Sequence, residues 1–125
     1  MLQEFLAKAE ENLDIAIVAL ERERYNAATN RAYYAAFQAA VAALAAENVK
    51  PQGHRIPHDW LQAQFSGILI HRRKLYPAHF ASYLPKMQEL RDTADYKDIS
   101  INKSAATAQI KKAHEFVSHI LQKLQ

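Results

Sequence analysis

The chain has 125 residues, half of them hydrophobic, with two glycines, four prolines, no cysteine and a net charge of +3. That length suits one domain with its own core, and the scarcity of turn formers excludes an all-β sandwich or a disordered segment. The absence of cysteine excludes disulfides and thiolate metal sites and is compatible with a cytoplasmic location.

Residues Met1 to Glu11 include Glu4, Lys8, Glu10 and Glu11, which break any apolar stretch of the kind that opens a secretory signal. No run reaches the roughly 18 apolar residues of a membrane span, so no membrane association is expected. The first helix is predicted from about Leu2 to Arg22. Its stripe is Leu2, Leu6, Ala9, Leu13, Ala16 or Ile17, and Leu20, in steps of three and four.

A second helix is predicted from about Arg24 to Glu47. It carries eleven alanines, whose small side chains favour helix and let neighbours approach closely. Tyr34, Phe37, Val41 and Leu44 form a line of larger groups on the same helix. The segment is apolar around much of its circumference, which predicts a central helix or a subunit interface, and with it a homodimer.

Pro51, Gly53 and Pro57 mark Asn48 to Pro57 as a loop. The third helix carries Leu61, Phe65, Ile68 and Leu69 on one side and ends at His71-Arg72-Arg73-Lys74, just before Pro77. A fourth is predicted from about Ala78 or Pro85 to Asp95, with Pro85 either starting its regular part or kinking it. Tyr96 to Lys103 reads as a polar loop and Ser104 as the cap of the last helix, which has Ile110, Ala113, Val117, Ile120 and Leu124 on one face. No segment alternates with period two. The expected fold is therefore all-α: an antiparallel up-and-down bundle of four or five helices forming a single domain over residues 1–125.

Charge is unevenly spread. Residues 48–79 hold five cations (Lys50, Arg55, Arg72, Arg73 and Lys74) against Asp59 alone, a net of +4 that leaves −1 on the rest of the chain. His54, His58, His71 and His79 lie in the same stretch. Such a segment attracts phosphates, although cations at the end of a helix also suit its dipole.

Polar groups interrupt the second helix where its neighbours are apolar: Asn26 and Asn30 one turn apart, then Arg31, Tyr33 and Tyr34. Buried amides and guanidinium groups need partners, so these residues read either as a satisfied polar network or as a site that orients an acid or a phosphate. Arg91 and Asp95, at i and i+4 on the fourth helix, share a face and can pair, with the Tyr96 phenol beside them. No Gly-rich phosphate loop, nucleophile elbow or metal-ligand spacing is present, and no metal or cofactor is expected.

The run Tyr25-Asn26-Ala27-Ala28-Thr29-Asn30-Arg31-Ala32-Tyr33-Tyr34-Ala35-Ala36-Phe37 and the run Arg91 to Tyr96, which spells R-x-x-A-D-Y, resemble the second- and fourth-helix signatures of the HEPN superfamily. His58 fits a histidine opening the third helix, and Ala113, Phe116 and Val117 fit the last. The resemblance spans the chain and points to the small prokaryotic R-x-x-A-D-Y branch. It implies a helical bundle that dimerises around an interfacial groove. Many members are metal-independent ribonucleases, and many are toxins acting with an MNT-type nucleotidyltransferase.

On this resemblance Arg91, Asp95 and Tyr96 are the expected catalytic residues. Asn30, Arg31, Tyr34, His58, Arg72 and Arg73 are the expected contacts to RNA or a nucleotide. The rival expectation is a non-catalytic module that binds a nucleotide or recruits the partner enzyme, and a third is a dimerisation domain alone. Nuclease members place a histidine four to six residues after the arginine, where it serves as general acid or base at the ribose 2′-hydroxyl. Here the next histidine after Arg91 is His114. Arg73 and His79 match that spacing, but seven arginines and six histidines produce about one such match by chance in this length.

Overall fold

The structure, a computed structural model, describes residues 1–125 and contains helices and no strand. Five α-helices run α1 (Leu2–Glu21), α2 (Tyr25–Ala46), α3 (His58–Gln64), α4 (Tyr83–Tyr96) and α5 (Lys103–Leu124). A π-helical segment, Phe65–Arg72, extends α3, and a 3-10 turn, Ala78–Ser82, leads into α4. This is the expected all-α bundle.

α2 is its axle. Thirteen of its residues are buried, eight of them alanines, and α1, α4 and α5 pack around it. The small side chains let all three neighbours close on one helix. The predicted stripe of α1 buries Leu6, Ala9, Leu13 and Ala16, so Ala16 rather than Ile17 takes the inner position. Phe65, Phe80 and Phe116 fill the other end of the core, with ring centroids 5.0 and 5.1 Å from Phe116. No helix is long and apolar enough to cross a membrane.

The apolar circumference of α2 that predicted a dimer is covered within one chain. The physical basis for that expectation therefore disappears, and any self-association must use other surfaces. The exposed large hydrophobic residues are Met1, Ile15 and Val18 on or beside α1, with Tyr96 and Ile99 at the α4–α5 connection.

Three local expectations need correction. The third helix is α-helical only to Gln64; beyond it the bonds lengthen to the i−5 pattern, as from the Arg73 amide to the Ile68 carbonyl at 2.9 Å. This change of period brings Ile70 into the core beside Leu61, Phe65 and Leu69, while Ile68 is only partly covered. Pro85 neither starts nor kinks α4; it is the third helical residue, where the missing N–H has no intrahelical partner to lose. Asn102, not Ser104, caps α5: its side chain accepts from the Ala105 amide at 2.8 Å.

α1 and α2 both stop at a left-handed residue, Glu23 (φ 60°) and Asn48 (φ 62°). After α1, Arg24 N–H donates to the Ala19 carbonyl at 2.8 Å and Glu23 N–H to Leu20 at 3.0 Å. After α2, Val49 donates to Leu44 and Asn48 to Ala45 in the same way, at 2.9 and 3.0 Å. Both are Schellman endings, a position where glycine is ordinarily preferred and where Glu23 carries a Cβ penalty. Glu23→Gly is expected to raise the unfolding free energy in urea by about 0.5–1 kcal/mol, whereas Asn48→Gly, which replaces a residue tolerant of this conformation, should change it by less. Destabilisation by Glu23→Gly would contradict the assignment of this ending.

Candidate functional site

The polar residues singled out on α2 and α4 meet. Arg91, only 9% exposed, projects from α4 toward α2. Its Nη1 donates to Asp92 Oδ1 at 2.7 Å and its Nη2 donates to the Tyr34 hydroxyl. Nε lies 3.2 Å from Asp95 Oδ2, an ionic contact without the alignment of a hydrogen bond. The guanidinium carbon also sits 5.1, 5.5 and 5.7 Å from the ring centres of Tyr34, Tyr96 and Tyr33. A planar cation inside an aromatic wall is favourable when its N–H groups retain acceptors, as most of these do. Burial works against the charge. The hydrogen bond to Asp92 and the surrounding phenol and carboxylate oxygens outweigh it and hold the Arg91 pKa above the ordinary arginine value.

The network continues across α2 to α1. Asp95 Oδ2 accepts from Asn30 Nδ2 at 2.7 Å, and Asn30 Oδ1 accepts from Arg31 Nε at 2.8 Å and Nη2 at 2.5 Å. Arg31 Nη1 reaches Asn12 Oδ1 at 3.2 Å, and Asn12 in turn donates to Gln38 at 2.6 Å. The two arginines therefore differ. Arg91 is neutralised by two carboxylates. Arg31, half-buried and 5.4 Å from the Tyr34 ring centre, is held only by amide oxygens and keeps an uncompensated charge.

His58, the first residue of α3, closes the other side. Its ring stacks on Tyr33 at 5.6 Å and lies 4.9 Å from Phe37. Its Nδ1 is 2.5 Å from the hydroxyl of the fully buried Tyr33. Burial pushes the Tyr33 phenol far above its usual value, partly opposed by the nearby Gln62 amide. Burial, and then the nearby Arg91 charge, lower the His58 pKa, with Asp92 and Asp59 acting weakly the other way. Both groups are thus held neutral. A neutral imidazole and a neutral phenol share one proton across this contact, with Nδ1 and the hydroxyl oxygen as its two ends.

Of the residues expected at the site, Asn30, Arg31, Tyr34, His58, Arg91, Asp95 and Tyr96 assemble in one place, and Arg72 and Arg73 do not join them. Arg73 donates to Glu47 Oε1 at 3.0 Å, and Glu47 lies thirteen residues beyond Tyr34, about 20 Å along α2. Arg72 is exposed at the end of the π-helical segment. Nor does the Arg73–His79 spacing make a pair, because His79 bonds Glu115 at 2.9 Å. That glutamate also accepts from Tyr83 at 2.6 Å, which pushes the Tyr83 phenol up to about 12.

Several members were not legible as site residues. Asn12 and Gln38 sit within otherwise regular helical patterns, and nothing in the spacing around Asp92 distinguishes it from a surface acid. Asn26, noticed but unassigned, accepts from the Ile101 amide at 2.9 Å and pins the segment after Tyr96 to the start of α2. Gln109 is buried and donates to the Met87 carbonyl at 2.9 Å and to Thr29 at 3.3 Å, fastening α5 to α4 and α2.

Two outcomes follow. Because His58 is held neutral, its contribution to stability is complete above its unfolded pKa of 6.5 and is lost as pH falls from there toward its lower folded value. Urea unfolding between pH 7.5 and 5.5 should show a smaller loss of stability in His58→Gln than in the parent; equal losses would contradict a neutral, half-buried imidazole. Arg91→Lys retains the charge but cannot reach Asp92, Asp95 and Tyr34 together, and is expected to lose about 2–3 kcal/mol of unfolding free energy.

No curated protein matches the chain. A family model described as the HEPN domain matches residues 2–124, nearly the full length, and the chain therefore belongs to the HEPN family.

Proposed function

We propose that the cluster of Asn30, Arg31, Tyr34, His58, Arg91, Asp95 and Tyr96 binds RNA or a nucleotide through a phosphate, and that the chain acts as the HEPN component of a toxin–antitoxin-like pair. Membership of the HEPN family supports a nucleotide- or RNA-related role. The observation that carries the reading is the contrast between the two guanidinium groups. Arg91 is built into the wall with its N–H groups directed at Asp92, Asp95 and Tyr34, while Arg31 keeps a permanent charge without a carboxylate partner. An incoming phosphate can take the place of the Asn30 and Asn12 oxygens on Arg31.

The surface over Arg91 is shallow, and neither arginine lines any of the chain's concavities. A groove completed by a second copy would deepen it, and the exposed Tyr96 and Ile99 stand at its edge as the apolar groups such a copy would cover. The partner in this reading is an MNT-type nucleotidyltransferase. Tyr96 is the proposed acceptor: it is 74% exposed, and its ring centre lies 5.5 Å from the Arg91 guanidinium carbon. Transfer from a nucleoside triphosphate joins the phenol oxygen to the α-phosphorus, breaks the α–β phosphoanhydride bond, releases pyrophosphate and gives up the phenol proton.

The second reading, a module that binds without cleaving, is favoured by one specific feature. Arg91 has no histidine on its own helix, and the imidazole that approaches it, His58, has its Nδ1 engaged with the Tyr33 hydroxyl.

Anisotropy of a labelled single-stranded oligoribonucleotide tests the binding surface. Arg31→Gln should weaken binding about 10-fold or more while the protein stays folded, since one charged hydrogen-bonding group contributes about 1.5–3 kcal/mol. Affinity unchanged in Arg31→Gln would overturn the proposal. Cleavage of the same oligonucleotide by the parent, abolished in His58→Gln, would select the ribonuclease; binding without cleavage selects the module.

A further inference from the structure

The basic segment between α2 and α4 does not act as one patch. Arg73 is spent on Glu47. Lys50 and Arg55 are exposed and have no ion-pair partner, and they line a concavity of about 610 Å³ together with Gln52, Trp60 and Gln64. No carboxylate lines it. Of the two acids nearest in sequence, Glu47 is neutralised by Arg73, and Asp59 does not line the cleft. Trp60 is half-buried and packs against the core, so its ring is fixed while part of it remains open to the cleft.

Two unpaired cations, two amides and a fixed indole match the chemistry of single-stranded nucleic acid, whose backbone is anionic and whose bases stack on aromatic rings. An acidic peptide would satisfy the cations and leave the indole and amides unused. Placement supports the same ligand. His58 and Trp60 are two residues apart at the start of α3, about 200° around the helix, so they face opposite sides of an element roughly 10–12 Å across. His58 faces the Arg31–Arg91 cluster and Trp60 faces this cleft.

We infer that the Lys50–Arg55–Trp60 cleft is a second RNA subsite, in which a base stacks on Trp60 and flanking phosphates meet Lys50 and Arg55, so that one single strand crosses the start of α3 between the cleft and Arg31. This rests on the reading of the Arg31–Arg91 surface as an RNA or nucleotide site.

Trp60 is the only tryptophan in the chain, so its fluorescence reports on the cleft directly. Titration with a short unlabelled oligoadenylate should quench it, in parallel with anisotropy of a labelled copy. Replacing Lys50 and Arg55 together with Gln removes two backbone contacts and should make the slope of log affinity against log salt shallower by about 1.4. Trp60→Leu should weaken binding about 5-fold or more. Trp60→Phe, which keeps a ring and the packing, should recover part of that loss and serves as the folded control.

The outcomes separate the two readings. Binding by anisotropy with unchanged Trp60 emission and an unchanged salt slope overturns the subsite and leaves the Arg31 surface standing. Binding that depends on Lys50, Arg55 and Trp60 but not on Arg31 supports the subsite and overturns that surface. No binding at low salt overturns both. Equal quenching by polyglutamate would show a site for acidic chains in general and would overturn the assignment to RNA.

Discussion

A guanidinium group is expensive to bury, and the placement of Arg91 governs much of this molecule. Removing such a charge from water costs several kcal/mol unless its N–H groups retain acceptors, and here the acceptors come from two helices. Asp92 and Asp95 are supplied by α4 itself. Tyr34 comes from α2, together with Asn30, which fixes Asp95 from the far side. The requirement to satisfy Arg91 therefore sets the rotation of α4 against α2, and through Asn30 and Arg31 it extends to Asn12 on α1. The apolar core would allow several neighbouring arrangements of these helices; the polar network selects one.

The axle makes this possible. Because α2 is so rich in alanine, α1, α4 and α5 approach it closely enough for side chains as short as Asn30 and Asn12 to span between helices. The same closeness buries the apolar circumference of α2 within the chain. Self-association would then involve the site margin, at Tyr96 and Ile99, or the outer face of α1, at Ile15 and Val18. Dimerisation at the site margin would link assembly to ligand binding, whereas dimerisation through α1 would leave the site open.

Much of this was legible in the sequence. The period of three and four fixed α1, α2 and α5 closely because each carries a long stripe, and the asparagine and arginine interrupting the alanines of α2 marked the network. The π-helical segment was not legible: Phe65, Ile68, Leu69 and Ile70 satisfy either period, and tertiary packing decided for the wider one. The cap at Asn102 was misplaced by two residues because Asn102 and Ser104 are both good caps. Arg72 and Arg73 were grouped with the site on charge alone, and charge carries no direction; Glu47 claims Arg73 about 20 Å away along α2. Tyr33 belongs to the site through His58, a contact between residues 25 apart that no local pattern encodes.

The central claim is that Arg91 and its carboxylates act as one unit in setting the α2–α4 interface. A double-mutant cycle over Arg91→Leu and Asp95→Ala, measured by urea unfolding, tests it most directly. The account predicts a coupling of about 1–3 kcal/mol, because Arg91→Leu leaves Asp95 without its cation and Asp95→Ala leaves Arg91 with one carboxylate in place of two. Losses that add to within about 0.5 kcal/mol would show two independent surface groups and contradict it.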